Sequence, residues 1–297
     1  MGFERCHPAV NFLYFAAVIT GTLIFHRPVF LAISFLCAFA YSIRRSGRKA
    51  LLFNLALLPL IALFAVYYSS YTHFGVTVLR QNFIGNNLTL ESLVYGFVLG
   101  FGAAGAIIWF SCVYSVFSAD KIVYLFGRLS PKLSLFLSIL LRMVPRIKNE
   151  AKRIDTAQRG IGRGFSQGSL LQRIRHGIRI FSMVVTWTIE SLTAASESMQ
   201  SRGSTLRGRT SFSIYRFDHR DRAYVIGMFL CLTVTGMAAA LQQTDMQYDP
   251  RIVLPAVTPA SYLFFGCYAV LCLMPLLLEL WTEYRFDKAR KTSGPQN

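Results

Sequence analysis

Two short segments place an arginine directly before a glycine at the end of a long helical pattern. The first reads Ala157-Gln158-Arg159-Gly160, and the second ends in Ser201-Arg202-Gly203. Arginine is planar and always charged, so it can pair with a carboxylate through two parallel hydrogen bonds. The glycine lets the backbone turn and pass close to another surface. A lone Arg-Gly pair is a common helix end, so it is the repetition that indicates two equivalent docking tips.

Catalysis would need clustered carboxylates, a metal-binding set, or a nucleophile beside a base. The five histidines are scattered, and the one D-x-x-D motif, from Asp218 to Asp221, is surrounded by arginines. Local charge pairing before a membrane span is the preferred interpretation of that motif, and a metal or catalytic role is the alternative. The glycines between 160 and 164 follow a helical pattern rather than a strand, and the chain has no G-x-x-x-x-G-K-[ST] motif. We therefore predict no catalytic, cofactor-binding or metal site.

The composition is that of a membrane protein. Of the 297 residues 54% are hydrophobic and only 15% are charged, whereas soluble domains average about 25% charged residues. The net charge of +17 does not indicate nucleic-acid binding, because the basic residues lie between apolar runs long enough to span a bilayer. The six cysteines show no CxxC spacing, which argues against a disulfide framework or a zinc site.

Six apolar runs predict about six transmembrane helices in an all-α polytopic fold. The two runs at the N-terminus are short, and we interpret the first as a retained span rather than a cleaved signal. The fourth run is rich in glycine and alanine, which lets helix backbones approach closely in lipid. The predicted runs are 9–25, 29–43, 50–68, 92–117, 223–241 and 260–281.

The distribution of charge predicts the orientation. Only Arg27, Arg80 and Arg251, of 31 lysines and arginines, fall in the proposed outer loops. The positive-inside rule then places both termini in the cytoplasm, with an even number of spans. An odd number, with one run half inserted, is the alternative.

A long basic block separates the membrane spans, which predicts three regions: spans 1–4 in 1–118, a cytoplasmic region in 119–222, and spans 5–6 with a tail in 223–297. Apolar residues recur every three or four positions from Leu133 to Ile154 and from Ile174 to Met199, which predicts two long amphipathic helices. Helices lying on anionic lipid are one interpretation. The repeated Arg-Gly endings favour helices that contact a partner protein.

The block resembles the transmembrane T component of energy-coupling factor (ECF) transporters, which is related to the membrane subunit of cobalt uptake systems. The resemblance covers about 125–222, and elsewhere it rests on hydropathy alone. It is carried by Arg142-Met143-Val144-Pro145 with Glu150, by the two Arg-Gly segments, by Gly208-Arg209-Thr210, and by Arg216-Phe217-Asp218 with Asp221.

This resemblance implies a non-catalytic subunit of a bacterial cell-membrane importer for vitamins or metal ions. Two ABC ATPase subunits would bind ATP and Mg²⁺, and a membrane-embedded S component would bind the substrate. The T component would join them through two long cytoplasmic coupling helices, each ending in an Ala-Arg-Gly-like motif. The implied ATPase-docking residues are Ala157, Gln158, Arg159, Gly160, Arg163, Ser201, Arg202 and Gly203.

The match to the family motif is imperfect at both ends. Ser201 replaces the usual alanine, and Arg163-Gly164 forms a second Arg-Gly pair in another register. Either Arg159 or Arg163 is therefore a candidate for docking, with Arg159 preferred. The permease of a conventional ABC importer is the alternative function, although its cytoplasmic coupling element is usually short.

Overall fold

The structure is a computed structural model that describes residues 3–72, 74–81, 87–129, 131–203, 206, 215, 217–249, 251–254 and 257–292. It is 82% helical, which confirms the predicted all-α class. The described residues contain nine α-helices: α1 (Pro8–Ile24), α2 (Pro28–Ser46), α3 (Arg48–Tyr71), α4 (Leu90–Val116), α5 (Ala119–Leu129), α6 (Pro131–Gly160), α7 (Leu170–Ser201), α8 (His219–Ala240) and α9 (Pro259–Thr292).

Five helices of the described chain are long and apolar enough to cross a membrane, namely α2, α3, α4, α8 and α9. The remaining predicted run, which is the first in the chain, forms α1, which has only 17 residues. That length is below the roughly 20 residues that a helix needs to cross the hydrocarbon core. The long apolar runs thus predicted where helices form, and the first run is the weakest candidate for a complete span.

The chain divides into two compact units, one formed by 1–118 with 215–297 and the other by 119–214. In the first unit, α3 and α4 pack closely because glycine replaces a larger side chain at their contact. A Cβ added to Gly96 would lie 2.9 Å from the backbone oxygen of Ala65, and one added to Gly100 would lie 3.0 Å from Ile61 Cγ2. The glycines of the fourth run therefore allow close helix packing, as small residues do in membranes.

Buried polar groups join three helices in the core of this unit. Trp109 Nε1 in α4 donates a hydrogen bond to Ser34 Oγ in α2 at 3.0 Å, and Ser34 Oγ lies 2.6 Å from Thr22 Oγ1 in α1. All three side chains are almost completely buried. Since lipid offers no replacement partners for buried polar groups, these bonds specify how the helices fit together.

Ion pairs connect helix ends of the first unit. Arg44 at the end of α2 pairs with Glu283 in α9, and Arg45 pairs with Glu4. Arg45 Nε also donates to Ser115 Oγ in α4 at 3.1 Å. The two arginines at the end of α2 therefore hold helix ends together, in addition to contributing positive charge.

A two-stranded hairpin interrupts the helical architecture between the third and fourth predicted runs. Strand β1 (Val78–Gln81) pairs antiparallel with β2 (Asn87–Thr89). Thr89 Oγ1 donates to the backbone oxygen of Phe74 at 2.6 Å. The strands are short and lack clear alternation, so the sequence pattern did not indicate them.

The second unit contains α5, α6 and α7. Helix α6 begins at Pro131, since proline is favoured at the first helical position, whereas α5 lies before the two predicted amphipathic helices. At about 1.5 Å per residue, α6 and α7 are each about 45–48 Å long. The guanidinium of Arg146 in α6 lies 5.4 Å from the ring centroid of Trp187 in α7, so the two helices contact each other well before their C-terminal ends.

Candidate docking site at two helix ends

The first tip, residues 157–164, turns at Gly162 rather than at Gly160. Gly162 has a φ of 73°, a left-handed conformation that favours glycine. Its N–H donates to the Arg159 oxygen at 3.1 Å, and the Arg163 N–H donates to the Gln158 oxygen at 2.9 Å. This pair of bonds is the Schellman arrangement that satisfies the last carbonyls of a helix.

The expectation that Gly160 makes this turn is therefore wrong. Gly160 is the last residue of α6 and does not have a positive φ. An added Cβ on Gly160 would meet no atom within 4 Å. Glycines occur at every second position, 160, 162 and 164, and the backbone hydrogen bonds place the turn at the middle one.

Arg159 is held by a residue of its own helix. Its Nη2 lies 2.6 Å from Asp155 Oδ2, one turn earlier, and the other Asp155 oxygen accepts the Phe165 N–H at 2.9 Å. The Phe165 N–H and the Arg159 guanidinium together lower the pKa of Asp155, so the carboxylate is charged at neutral pH. A Cβ on Gly164 would collide with Arg159 Cγ. Arg159 thus supports the loop after α6.

The loop between α6 and α7 is ordered by further local bonds. The Gly164 N–H donates to Gln167 Oε1 at 2.9 Å. Ser169 and Gln172 then form a capping box at the start of α7, which satisfies two otherwise unpaired donors of the first helical turn. The first tip is therefore a structured turn between two long helices.

The second tip, residues 198–203, has the same kind of helix end. Arg202 caps α7 with φ −83° and ψ 8°, and Gly203 follows with a φ of 75°. The Gly203 N–H donates to the Gln200 oxygen at 2.9 Å. Ser201, which replaces the family's usual alanine, turns its hydroxyl back to the Ser198 oxygen at 2.9 Å. The serine therefore satisfies its own hydroxyl within the helix.

The two tips differ in where arginine stands relative to the left-handed glycine. Arg202 directly precedes Gly203, and Arg163 directly follows Gly162, whereas Arg159 stands three residues before Gly162. In the second tip, Gln200 occupies the position that corresponds to Arg159. The two Arg-Gly segments are thus similar in sequence but not equivalent in helix register.

Arg163 and Arg202 are the cations of the two tips that have no ion-pair or hydrogen-bond partner for their side chains among the described residues. Both side chains are exposed. Ala157 is exposed as well, while Gln158 is half-buried and its Nε2 lies 3.8 Å from Met183 Sδ in α7. The geometry therefore leaves one unpaired arginine beside the left-handed glycine of each tip.

Asp155 and Phe165 flank the first tip and contact it, but the sequence analysis missed both. Phe165 is 61% exposed. Its ring packs beside Gly177 in α7, where an added Cβ would lie 3.0 Å from Phe165 Cε2. The spacing of Asp155 and Arg159, four residues apart on one helix, is the signal that indicates this ion pair. No sequence pattern indicates that the backbone N–H of Phe165 joins the loop to Asp155.

The D-x-x-D motif caps a helix. Asp218 is the N-cap of α8, and Asp218 and Asp221 form a capping box. Arg220 Nη2 lies 3.7 Å from Asp218 Oδ2. The motif therefore begins a helix and takes part in local charge pairing. Gly208-Arg209-Thr210 and Arg216, which also carried the family resemblance, lie outside the described residues.

No protein-family model matches the chain, but curated relatives do. The chain is 31% identical over 117 residues to the energy-coupling factor transporter transmembrane protein EcfT of Lacticaseibacillus paracasei, covering 37% of this chain and 41% of that protein. It is 31% identical over 108 residues to EcfT of Bacillus selenitireducens, covering 36% and 40%. It is 29% identical over 98 residues to EcfT of Streptococcus thermophilus, covering 33% and 37%.

About a third of the chain is therefore similar to EcfT. The chain spans about two fifths of the length of the curated relatives it matches. Together with the five apolar helices, the similarity to bacterial EcfT proteins indicates a multi-pass protein of a bacterial cell membrane. The EcfT-like chain thus combines a membrane unit with two long helices that end in exposed arginines.

Proposed function

We propose that this chain is the T component of an ECF-type importer. In this proposal two ABC ATPases bind the helix ends, and a membrane S component binds the vitamin or metal ion. The proposal is supported by the EcfT similarity and by the two long helices of the second unit. The observation that carries it is the unpaired, exposed arginine beside a left-handed glycine at the end of each helix.

We propose Arg163 and Arg202 as the arginines that pair with ATPase carboxylates. Each is free for a bidentate pair, while the adjacent glycine permits the backbone to approach the partner closely. Arg159 already uses its charge on Asp155. Its role in this proposal is to hold the loop that presents Arg163, together with Gly162.

We further propose that the chain hydrolyses no ATP itself and that ATP and Mg²⁺ bind to the partner ATPases. The sequence lacks the phosphate-binding loop that would cradle the nucleotide. Purified without partners, the chain should turn over no ATP above an empty-membrane control. Turnover that persists after removal of contaminating ATPases would contradict this part of the proposal.

Co-purification tests the assignment against a conventional ABC permease. An affinity-tagged chain, extracted from its native membrane and analysed by mass spectrometry, should recover two ATPase subunits and a small, separate membrane protein. Recovery of ATPases with a soluble substrate-binding protein, and no additional membrane subunit, would favour the conventional permease instead.

A further inference from the structure

A cavity of about 360 Å³ lies in the first unit, between the short N-terminal helical turn (Phe3–Arg5), the start of α8 and the C-terminal part of α9. Its volume is within the range of about 300–1,000 Å³ that is typical of ligand pockets. The walls combine positive charge with apolar surface. They include Arg5, Arg220, Ala223, Met274, Leu278 and Trp281.

The N-terminal wall of this cavity is anchored on both sides of Arg5. Phe3 is completely buried, and its ring centroid lies 5.3 Å from that of Tyr14 and 5.5 Å from that of Tyr224. The backbone N–H of His7 donates to Asp221 Oδ1 at 3.4 Å. Arg5 therefore stands at a defined place against the start of α8.

Two arginines, Arg5 and Arg220, line the cavity, and a third, Arg285, contacts the lining residue Trp281. Arg5 is exposed and has no ion-pair partner among the residues that the structure describes. Arg220 is 3.7 Å from Asp218, but both side chains are more than half exposed, so this pair contributes little. The guanidinium of Arg285 lies 4.9 Å from the ring centroid of Trp281. The lining is therefore positively charged.

A neighbouring polar cavity contains carboxylates as well as arginines. It is lined by Arg44 and Arg45 with their carboxylate partners Glu283 and Glu4, and also by Glu279 and by Arg5, which borders both cavities. No aspartate or glutamate lines the described walls of the first cavity. Of these two neighbouring cavities, only the first combines arginines with an apolar wall and has no carboxylate in its described lining.

We propose that this cavity binds one anionic phospholipid, with its phosphate between Arg5 and Arg220 and the start of an acyl chain along Met274 and Leu278. Basic pockets between transmembrane helices are suited to anionic head groups. The apolar wall distinguishes a lipid from free phosphate, since free phosphate gains nothing from aliphatic side chains.

Native mass spectrometry of the full chain, extracted from nanodiscs of equal phosphatidylglycerol and phosphatidylcholine, tests this proposal. The wild-type chain should retain one phosphatidylglycerol in preference to phosphatidylcholine. Arg5→Gln/Arg220→Gln should weaken that preference by about 30-fold, the effect of two arginines near a lipid surface. Ala223→Leu, which keeps both arginines but fills space at the apolar wall, should also reduce retention.

Arg48→Gln/Lys49→Gln is the matched control, because it removes the same charge from two exposed residues outside the cavity. It should retain phosphatidylglycerol like the wild type. Equal retention of both lipids by the wild type, or equal loss in the cavity and control variants, would overturn the proposal. Displacement of the lipid by millimolar inorganic phosphate would also overturn it, because a simple anion site would then explain the cavity. This test does not depend on the proposed transport function.

Discussion

Asp155 and Arg159 form an ion pair one helical turn apart, with Asp155 Oδ2 at 2.6 Å from Arg159 Nη2. The second oxygen of Asp155 accepts the Phe165 N–H, so one carboxylate joins the end of α6 to the loop beyond it. The arginine that the sequence favoured for docking is thereby engaged within the chain. Arg163, four residues later, remains available for a partner.

Asp155→Ala should loosen this loop without unfolding the protein. A partly exposed pair of this spacing contributes only about 0.3–0.5 kcal/mol, so the unfolding temperature should change little. Hydrogen exchange of the Phe165 N–H should become several-fold faster, because its acceptor is gone. Glu150→Ala, which removes the Arg153 pair on the same helix, is the control. Unchanged exchange at Phe165 would contradict the role assigned to Asp155.

The loop after α6 should keep its protection against hydrogen exchange over the physiological pH range. The pKa of Asp155 is lowered in the folded state, so its contribution is fully present above the unfolded value of about 3.9 and is lost as pH falls through the lower folded value. Exchange at Phe165, corrected for its intrinsic rate, should be equal at pH 5.5 and pH 7.5. Markedly lower protection at pH 5.5 would be inconsistent with this assignment.

Gly162 and Gly160 should respond oppositely to alanine. Gly162→Ala forces a left-handed alanine and should destabilise the helix end by about 1–2 kcal/mol. Gly160→Ala places a methyl group in open space within a helix and should be neutral or stabilising by up to about 1 kcal/mol. Exchange protection of the last α6 turn measures both. Greater loss of protection with Gly160→Ala would show that the turn is at Gly160 after all.

Packing of α3 against α4 should depend on Gly96. Gly96→Ala brings a methyl group to 2.9 Å from a backbone oxygen, which the helices can relieve only by separating, at a cost of about 1–3 kcal/mol. Gly236→Ala in α8 is the control, since nothing lies within 4 Å of its added Cβ. Thermal unfolding in detergent compares the two. Equal unfolding temperatures would exclude close packing at Gly96.

The predicted orientation remains to be tested by cysteine labelling. In a cysteine-free background, Ser70→Cys and Asp249→Cys should react with an impermeant thiol reagent added to intact cells. Ser166→Cys in the cytoplasmic loop should react only after the cells are opened. Labelling of Ser166→Cys from outside would overturn the topology.

Long apolar runs predicted most of the fold, because a single segment in lipid can satisfy its backbone hydrogen bonds only as a helix. The hairpin at β1 and β2 escaped prediction because its strands have only four and three residues. At the first tip, the motif Arg159-Gly160 was misleading. Which of the three glycines turns the chain depends on where the hydrogen bonds of α6 end. The contacts between Asp155 in α6 and the loop 161–169 fix that point, and the motif does not.

Arg202→Lys should separate a specific pair from general positive charge at the second tip. An ammonium group retains the charge but not the planar fork, so recovery of the ATPases should be intermediate between wild type and Arg202→Ala. Pull-down of the ATPases by the tagged chain gives the measurement. Full recovery with lysine would indicate a non-specific electrostatic contact.

The double variant Arg163→Ala/Arg202→Ala tests the central claim most directly, through ATPase pull-down and substrate uptake in membrane vesicles. Loss of one side of a buried charged pair costs about 2–5 kcal/mol, so both readouts should collapse while membrane insertion stays normal. Arg153→Ala/Arg175→Ala, which removes two exposed arginines from the sides of α6 and α7, should leave both readouts near wild type. Normal ATPase recovery and normal uptake in Arg163→Ala/Arg202→Ala would contradict docking at these helix ends.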